Sequence, residues 1–180
     1  MEYNHMEIER KWMVSGFPEE SGITLPLLKV EKMEQGYLSV EPTVRIRKED
    51  NVTEGHCAYI LCFKKGRGLS RQELEFPIET DKFESLKEMI GAPLIPKVRK
   101  SYQLQNGLVL EVSRVDDGTP TAFSYAEIEY PSEDAANAYD PRTDHLERYL
   151  TDDVTGLPGQ SMGAYWIQTR LPQGEEGGGK

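Results

Sequence analysis

Five stretches of alternating apolar and polar residues each carry two charges of one sign at positions i and i+2. They are Glu7 and Glu9, Arg45 and Arg47, Glu73 and Glu75, Lys97 and Arg99, and Glu127 and Glu129. On a β-strand such neighbours stand about 7 Å apart on the same face, where they repel. A solvated face does better with mixed signs and threonine, so one Glu-x-Glu or Arg-x-Arg says little. Its recurrence on five strands asks for a common cause. The opposite faces hold Met6, Ile8 and Trp12, Val44 and Ile46, Leu74, Phe76 and Ile78, Val98, and Ile128 and Tyr130. Paired carboxylates suit a hard divalent cation with oxygen ligands, and paired guanidinium and ammonium groups suit phosphate oxygens. Burying so many charges is costly unless they neutralise one another, water and a ligand. The enclosure that achieves this is a closed antiparallel β-barrel of about eight strands with a charged interior and an apolar outer face. The pattern therefore predicts a mainly β fold, a tunnel with a few short helices packed outside, holding a metal-bound oligophosphate.

Period-two alternation places the strands near Met6–Met13, Leu27–Met33, Thr43–Lys48, Cys57–Lys64, Ser70–Ile78, Pro96–Leu104, Leu108–Val115 and Phe123–Tyr130. Turns are expected at Gly36, Glu49–Gly55, Gly66-Arg67-Gly68, Asn106-Gly107 and Asp116-Asp117-Gly118. Phe83, Leu86, Met89 and Ile90 recur at helical spacing before Gly91, which predicts a helix. Shorter helices are expected after Ser132 and over Thr143–Leu150. Glu84, Lys87 and Glu88, like Glu31 and Lys32, read as ordinary solvated charges. The reading is one domain over 1–171 followed by a Gly-rich, charged, disordered tail at 172–180.

The chain of 180 residues has a formal net charge of −10, which disfavours nucleic-acid duplexes and acidic membranes. It has no apolar run of membrane-spanning length. Its opening MEYNHMEIERK is too polar for a secretory signal. Cys57 and Cys62, five apart, fall on opposite faces of a strand and cannot pair. Reduced thiols and no signal predict a cytoplasmic protein. His5, His56 and His145 lack metal-ligand spacing, and Gly66-Arg67-Gly68 is too short for a phosphate-loop fingerprint.

Glu7-Ile8-Glu9-Arg10-Lys11 is an E-x-E-x-K motif. It is followed in order by Arg45-Ile46-Arg47, Lys64, Glu73-Leu74-Glu75, Lys97-Val98-Arg99, Glu111 and Glu127-Ile128-Glu129. This series, over roughly 6–130, resembles the CYTH superfamily, the triphosphate tunnel metalloenzymes. The resemblance implies an eight-stranded antiparallel tunnel that binds triphosphate groups with Mg²⁺ or Mn²⁺. It implies that Glu7, Glu9, Glu127 and Glu129 hold the metal, with Glu111 a further acid beside them. Lys11, Arg45, Arg47, Lys64, Lys97 and Arg99 would clamp phosphate oxygens. Glu73 and Glu75 would serve a second metal or orient water, and with Lys11 form the catalytic group. Arg71 and Ser113 have inward parity but receive no role, and Asp153-Val154-Thr155 is also similar to the family. Ser161–Trp166 lacks the basic and amide residues expected there.

The implied reaction is hydrolysis of a triphosphate, foremost inorganic tripolyphosphate, to phosphate and pyrophosphate by a monomer or homodimer. Thiamine triphosphate hydrolysis and class IV adenylate cyclisation are the alternatives within the fold, and a non-catalytic polyphosphate-binding module is the alternative outside enzymology. The seven acids and six bases of the implied site nearly cancel, so the acidic total is compatible with one enclosed phosphate site.

Overall fold

The computed structural model describes residues 6–171; His5 and the tail at 172–180 lie outside them. Eight principal strands follow the alternation: β1 (Met6–Val14), β2 (Leu27–Val40), β3 (Thr43–Asn51), β4 (His56–Lys65), β5 (Ser70–Pro77), β6 (Ile95–Gln103), β7 (Val109–Val115) and β8 (Phe123–Glu129). They pair in the order β5-β4-β3-β2-β6-β7-β8-β1, and β1 returns to β5, so the sheet closes. Every ladder is antiparallel.

Among the described residues, β1 meets β5 over Met6–Ile8. Beyond it, the two-residue strand β9 (Asp152–Asp153) pairs with Trp12 and Met13. Thr155 Oγ1 accepts from the Lys11 N–H at 3.0 Å, so the Asp153-Val154-Thr155 segment completes the wall where β5 has left it.

The β6–β7 hairpin turns at Asn106-Gly107 as expected, with Gly107 at φ +82°, a conformation in which only glycine is unstrained. Gly36 does not make a turn. β2 runs through it, and the chain reverses at Glu41-Pro42. The glycine serves packing instead, because a Cβ there would lie 2.5 Å from Leu94 Cδ2 and 3.1 Å from Ile90 Cδ1. Gly36→Ala is therefore expected to cost about 1–3 kcal/mol, read as a lower denaturant midpoint with an unchanged slope. β3 also continues past Lys48 to Asn51, so Glu49 is a strand residue rather than part of a turn.

Helix α1 (Thr80–Ile90) ends at Gly91, whose N–H donates to Lys87 O. Its buried Phe83 meets the Tyr59 ring at 4.9 Å. Helix α2 (Glu133–Ala138) is capped by Ser132 Oγ. The helix expected over Thr143–Leu150 is absent. A single 3-10 turn covers Pro141–Asp144, and His145 at φ +59° ends it. The buried Asp144 carboxylate holds that segment by accepting from Gln105 N–H at 2.9 Å and Tyr139 O–H at 3.0 Å. Side-chain anchors to outside groups win here over local helix formation. An unexpected helix, α3 (Met162–Arg170), follows, capped by Ser161 Oγ.

Two apolar clusters frame the tunnel. Outside β1, β6, β7 and β8, Trp12, Leu110, Val112, Ala126 and Ile128 pack under Leu146, Tyr149 and Leu150. At one end of the barrel, Tyr37, Ile95, Val115 and Tyr125 pack with Met162 and Trp166 of α3. The late part of β2, the start of β6, the finish of β7 and the start of β8 all lie at that end, so α3 closes it. Helix α1 covers the outer face of β4 only at Tyr59: further along, Phe63 and Phe76, ring centroids 6.3 Å apart, remain 39% and 45% exposed. No helix among the described residues is long and apolar enough to cross a membrane.

Candidate functional site: a charged tunnel

Residues opposite each other in a ladder point to the same side of the sheet. One row therefore joins Lys11, Glu127, Glu111 and Ser101. Another joins Tyr37, Arg45, Cys62 and Glu75, and a third Lys64 and Glu73. Lys97 and Glu49 stand on either side of Met33 in the same row. Glu7 faces Arg71, and Glu9 faces Glu129. Ion pairs between strands that are not neighbours show that these rows share one interior. Lys64 Nζ on β4 reaches Glu7 on β1 at 2.8 Å and Glu73 at 3.1 Å. Glu75 accepts from Arg47 at 3.1 Å and Arg45 at 3.4 Å.

Every acid and base of the sequence-derived set is thus brought to the tunnel, with Glu129 at its exposed rim. Three further charges join them. Glu31 is only 3% exposed and pairs with Arg99 at 3.1 Å, which corrects its reading as a solvated charge; Lys32 beside it is exposed. Glu49 binds Arg47 at 2.6 Å and lies 3.9 Å from Arg99. Arg71 donates through Nη2 to Glu7 Oε2 at 3.0 Å and also to Glu9 Oε1. Parity could have flagged Glu49 and Arg71, each two residues from an accepted inward charge on its own strand (Arg47 and Glu73); β2, which carries Glu31, holds no accepted charge. Arg99, also bonded to Glu111 at 2.9 Å, is ringed by three carboxylates.

The electrostatics are uneven. Burial pushes Glu9 up to about 8, and the nearby Glu127 and Glu7 carboxylates add to it. Burial would also raise Glu7, but Lys64 and Arg71 outweigh it and hold Glu7 near 2. Burial, with Glu7 and Glu111 behind it, raises Glu129. Glu73 is raised by burial and by Glu7, against Lys64, whereas Arg47 and Arg45 overcome burial to lower Glu75. Burial takes the Lys97 amine well below the ordinary lysine range, with Arg99 reinforcing the effect. That amine donates to Tyr125 O–H at 3.0 Å, and Lys11 lies 4.0 Å from the centre of the same ring.

Two observations describe what would fit inside. The Nε atoms of Arg45, Arg47 and Arg71 are buried without an acceptor, an arrangement that oxygen-rich anions relieve. Around Glu9 the opposite excess holds: carboxylates outnumber their bases, and the donors are all oxygens, which suits a hard divalent cation. Among the described residues, one trio of metal-capable side chains has its ligand atoms within 4.8 Å of one another, Cys62, Glu73 and Glu75. The quartet Glu7, Glu9, Glu127 and Glu129 is not drawn together in that way; Arg71 and Lys64 hold its first two members. Cys62 is buried and Cys57 exposed, the opposite faces their spacing predicts.

No model of a protein family matches the chain. Over 137 residues it is 36% identical to an inorganic triphosphatase of Nitrosomonas europaea, covering 75% of this chain and 83% of that protein. A crystal structure of an inorganic triphosphatase superposes with a TM-score of 0.58 at 26% identity, covering 93% of this chain and 95% of the other. A Pyrococcus horikoshii protein of 21% identity shares the fold with a TM-score of 0.55, covering 79% and 86%.

Proposed function

The chain belongs to the CYTH superfamily of triphosphate tunnel metalloenzymes, and from that premise we propose that it hydrolyses inorganic tripolyphosphate to phosphate and pyrophosphate inside the barrel. The observation that carries this reading is the set of three buried arginine Nε donors without acceptors, Arg45, Arg47 and Arg71, in one interior with a surplus of carboxylates. An oligophosphate supplies acceptors to the first group, and a divalent cation neutralises the second.

Glu7, Glu9, Glu127 and Glu129 would hold Mg²⁺ or Mn²⁺, with Glu111 beside them. The ion, when bound, would withdraw charge from phosphate oxygens. Arg45 and Arg47, both 8% exposed, bind and orient the phosphate chain as fixed guanidinium forks, with Glu75 locking their planes. Lys64 and Lys11 add point charges. Burial works against the charge on Lys97, and its amine donates to Tyr125 O–H at 3.0 Å. Glu73, raised by burial, orients the attacking water and takes its proton at a carboxylate oxygen. Phosphoryl transfer needs little more than such positioning and charge neutralisation. The end closed by α3 limits access to the opposite mouth and excludes water behind the substrate.

Phosphate release from tripolyphosphate, ATP and thiamine triphosphate, each with Mg²⁺ or Mn²⁺, is the test. Tripolyphosphate is expected to be the best substrate and a chelator to abolish turnover. Cyclic AMP and pyrophosphate from ATP would instead establish the cyclase reaction. Phosphate-chain binding without any cleavage would leave a binding module.

A further inference from the structure

Glu7 and Glu9 already have a cation. Arg71 Nη2 donates to Glu7 Oε2 at 3.0 Å and to Glu9 Oε1, so one nitrogen bridges both carboxylates. The contact is built into the barrel, since Arg71 stands directly opposite Glu7 across the β1–β5 seam. Lys64 secures Glu7 a second time, with Nζ 2.8 and 2.9 Å from its two oxygens. Arg71 is the one basic side chain bonded to Glu9 among the described residues.

We propose that Arg71 is an internal counter-ion which a divalent cation displaces from Glu7 and Glu9 and which then binds the phosphate chain, so that metal and substrate enter the tunnel as a coupled pair. This rests on the triphosphate reading of the site. A guanidinium and a divalent ion compete for the same carboxylates, because their charges repel at contact distance. Metal entry alone would strip Arg71 of its acceptors, and its Nε is buried without one already. An unpaired, largely buried guanidinium is costly. Phosphate oxygens are the complementary acceptors, so an anion lowers the cost of admitting the metal. Thermodynamic linkage makes the effect reciprocal: the metal, by freeing Arg71, raises affinity for the anion.

The experiment reads metal binding itself. Mn²⁺ binding to the intact protein is followed by electron paramagnetic resonance with and without sulfate, a tetrahedral anion that chelates Mn²⁺ poorly, at fixed ionic strength. Sulfate is expected to tighten Mn²⁺ binding about tenfold. Arg71→Gln should bind Mn²⁺ about tenfold more tightly than the wild type without sulfate, lose the sulfate effect, and show a raised KM for tripolyphosphate. Sulfate-independent Mn²⁺ binding by the wild type would overturn the proposal, as would an Arg71→Gln protein that binds Mn²⁺ no more tightly. Should that variant not fold, the wild-type sulfate effect decides alone. Coupling through Arg71 in a protein that cleaves no triphosphate would leave the counter-ion role standing and remove the triphosphate reading; cleavage without coupling would do the reverse.

Discussion

Glu9→Gln is expected to lower turnover of tripolyphosphate by at least about 100-fold and, in the metal-free protein, to raise thermal stability at pH 9. The first effect follows from removing one of the four carboxylates proposed to hold the metal. The second follows from the ionisation of Glu9. An unfolded glutamate loses its proton near 4.5, whereas burial and the neighbouring Glu127 and Glu7 hold folded Glu9 to about 8. Below pH 4.5 both states keep the proton and the charge is never buried. Between these values the unfolded chain has released a proton that the folded protein retains, so stability falls as pH rises and the full loss is reached above about 8. That loss is of the order of a few kcal/mol. Glu7 works the other way. Held near 2, it contributes stability above pH 4.5 that disappears as pH falls through 2. Melting curves of the metal-free wild type and Glu9→Gln at pH 5 and pH 9 check this: the two should nearly coincide at pH 5 and separate at pH 9 with the variant higher. Unchanged turnover, or a variant as alkali-sensitive as the wild type, would remove Glu9 from its assigned place.

Trp166→Ala is expected to destabilise the protein by about 3–5 kcal/mol, the largest loss we foresee from a single side chain. Trp166 is 2% exposed and its ring lies 5.7 Å from that of Tyr37, which itself faces the tunnel opposite Arg45. Truncation leaves a cavity at the closed end of the barrel, and α3 cannot refill it because Arg170 and Tyr165 tie the helix to Asp116. For a chain of this size the change corresponds to a fall in melting temperature of roughly 10 °C. Met89→Ala, at a position 76% exposed, is the control and should stay within about 0.5 kcal/mol. A Trp166→Ala protein as stable as that control would mean that α3 is not the plug of the tunnel.

The strands were legible because the β side-chain period is two and local. The hydrophobic sets of β1, β3, β6 and β8 each marked a face without reference to any other strand. Gly36 and α3 were not legible, for different reasons. A glycine reads as a turn when its neighbours are unknown, yet here Leu94, Ile90 and Trp166 press against it from outside β2. Helix α3 carries buried residues at Met162, Gly163 and Trp166 but no sustained apolar stripe, so its packing, not its periodicity, makes it a helix. Thr143–Leu150 is the converse: a plausible helical spacing overridden by the hydrogen bonds of Asp144.

The same division runs through the site. The alternation and the sign of the charges alone determined that this chain closes a barrel around carboxylates and bases, because each inward face is set by residues two apart. Which charge meets which was decided only by the pairing of strands distant in sequence. It carries Arg71 to Glu7 and Glu9 across separations of 64 and 62 residues, and Glu31 to Arg99 across 68. No local rule encodes contacts at that range. Parity could place Arg71 on an inward face, but only the folded barrel shows that it bridges the acids proposed for the metal and that Glu31 turns inward to pair with Arg99.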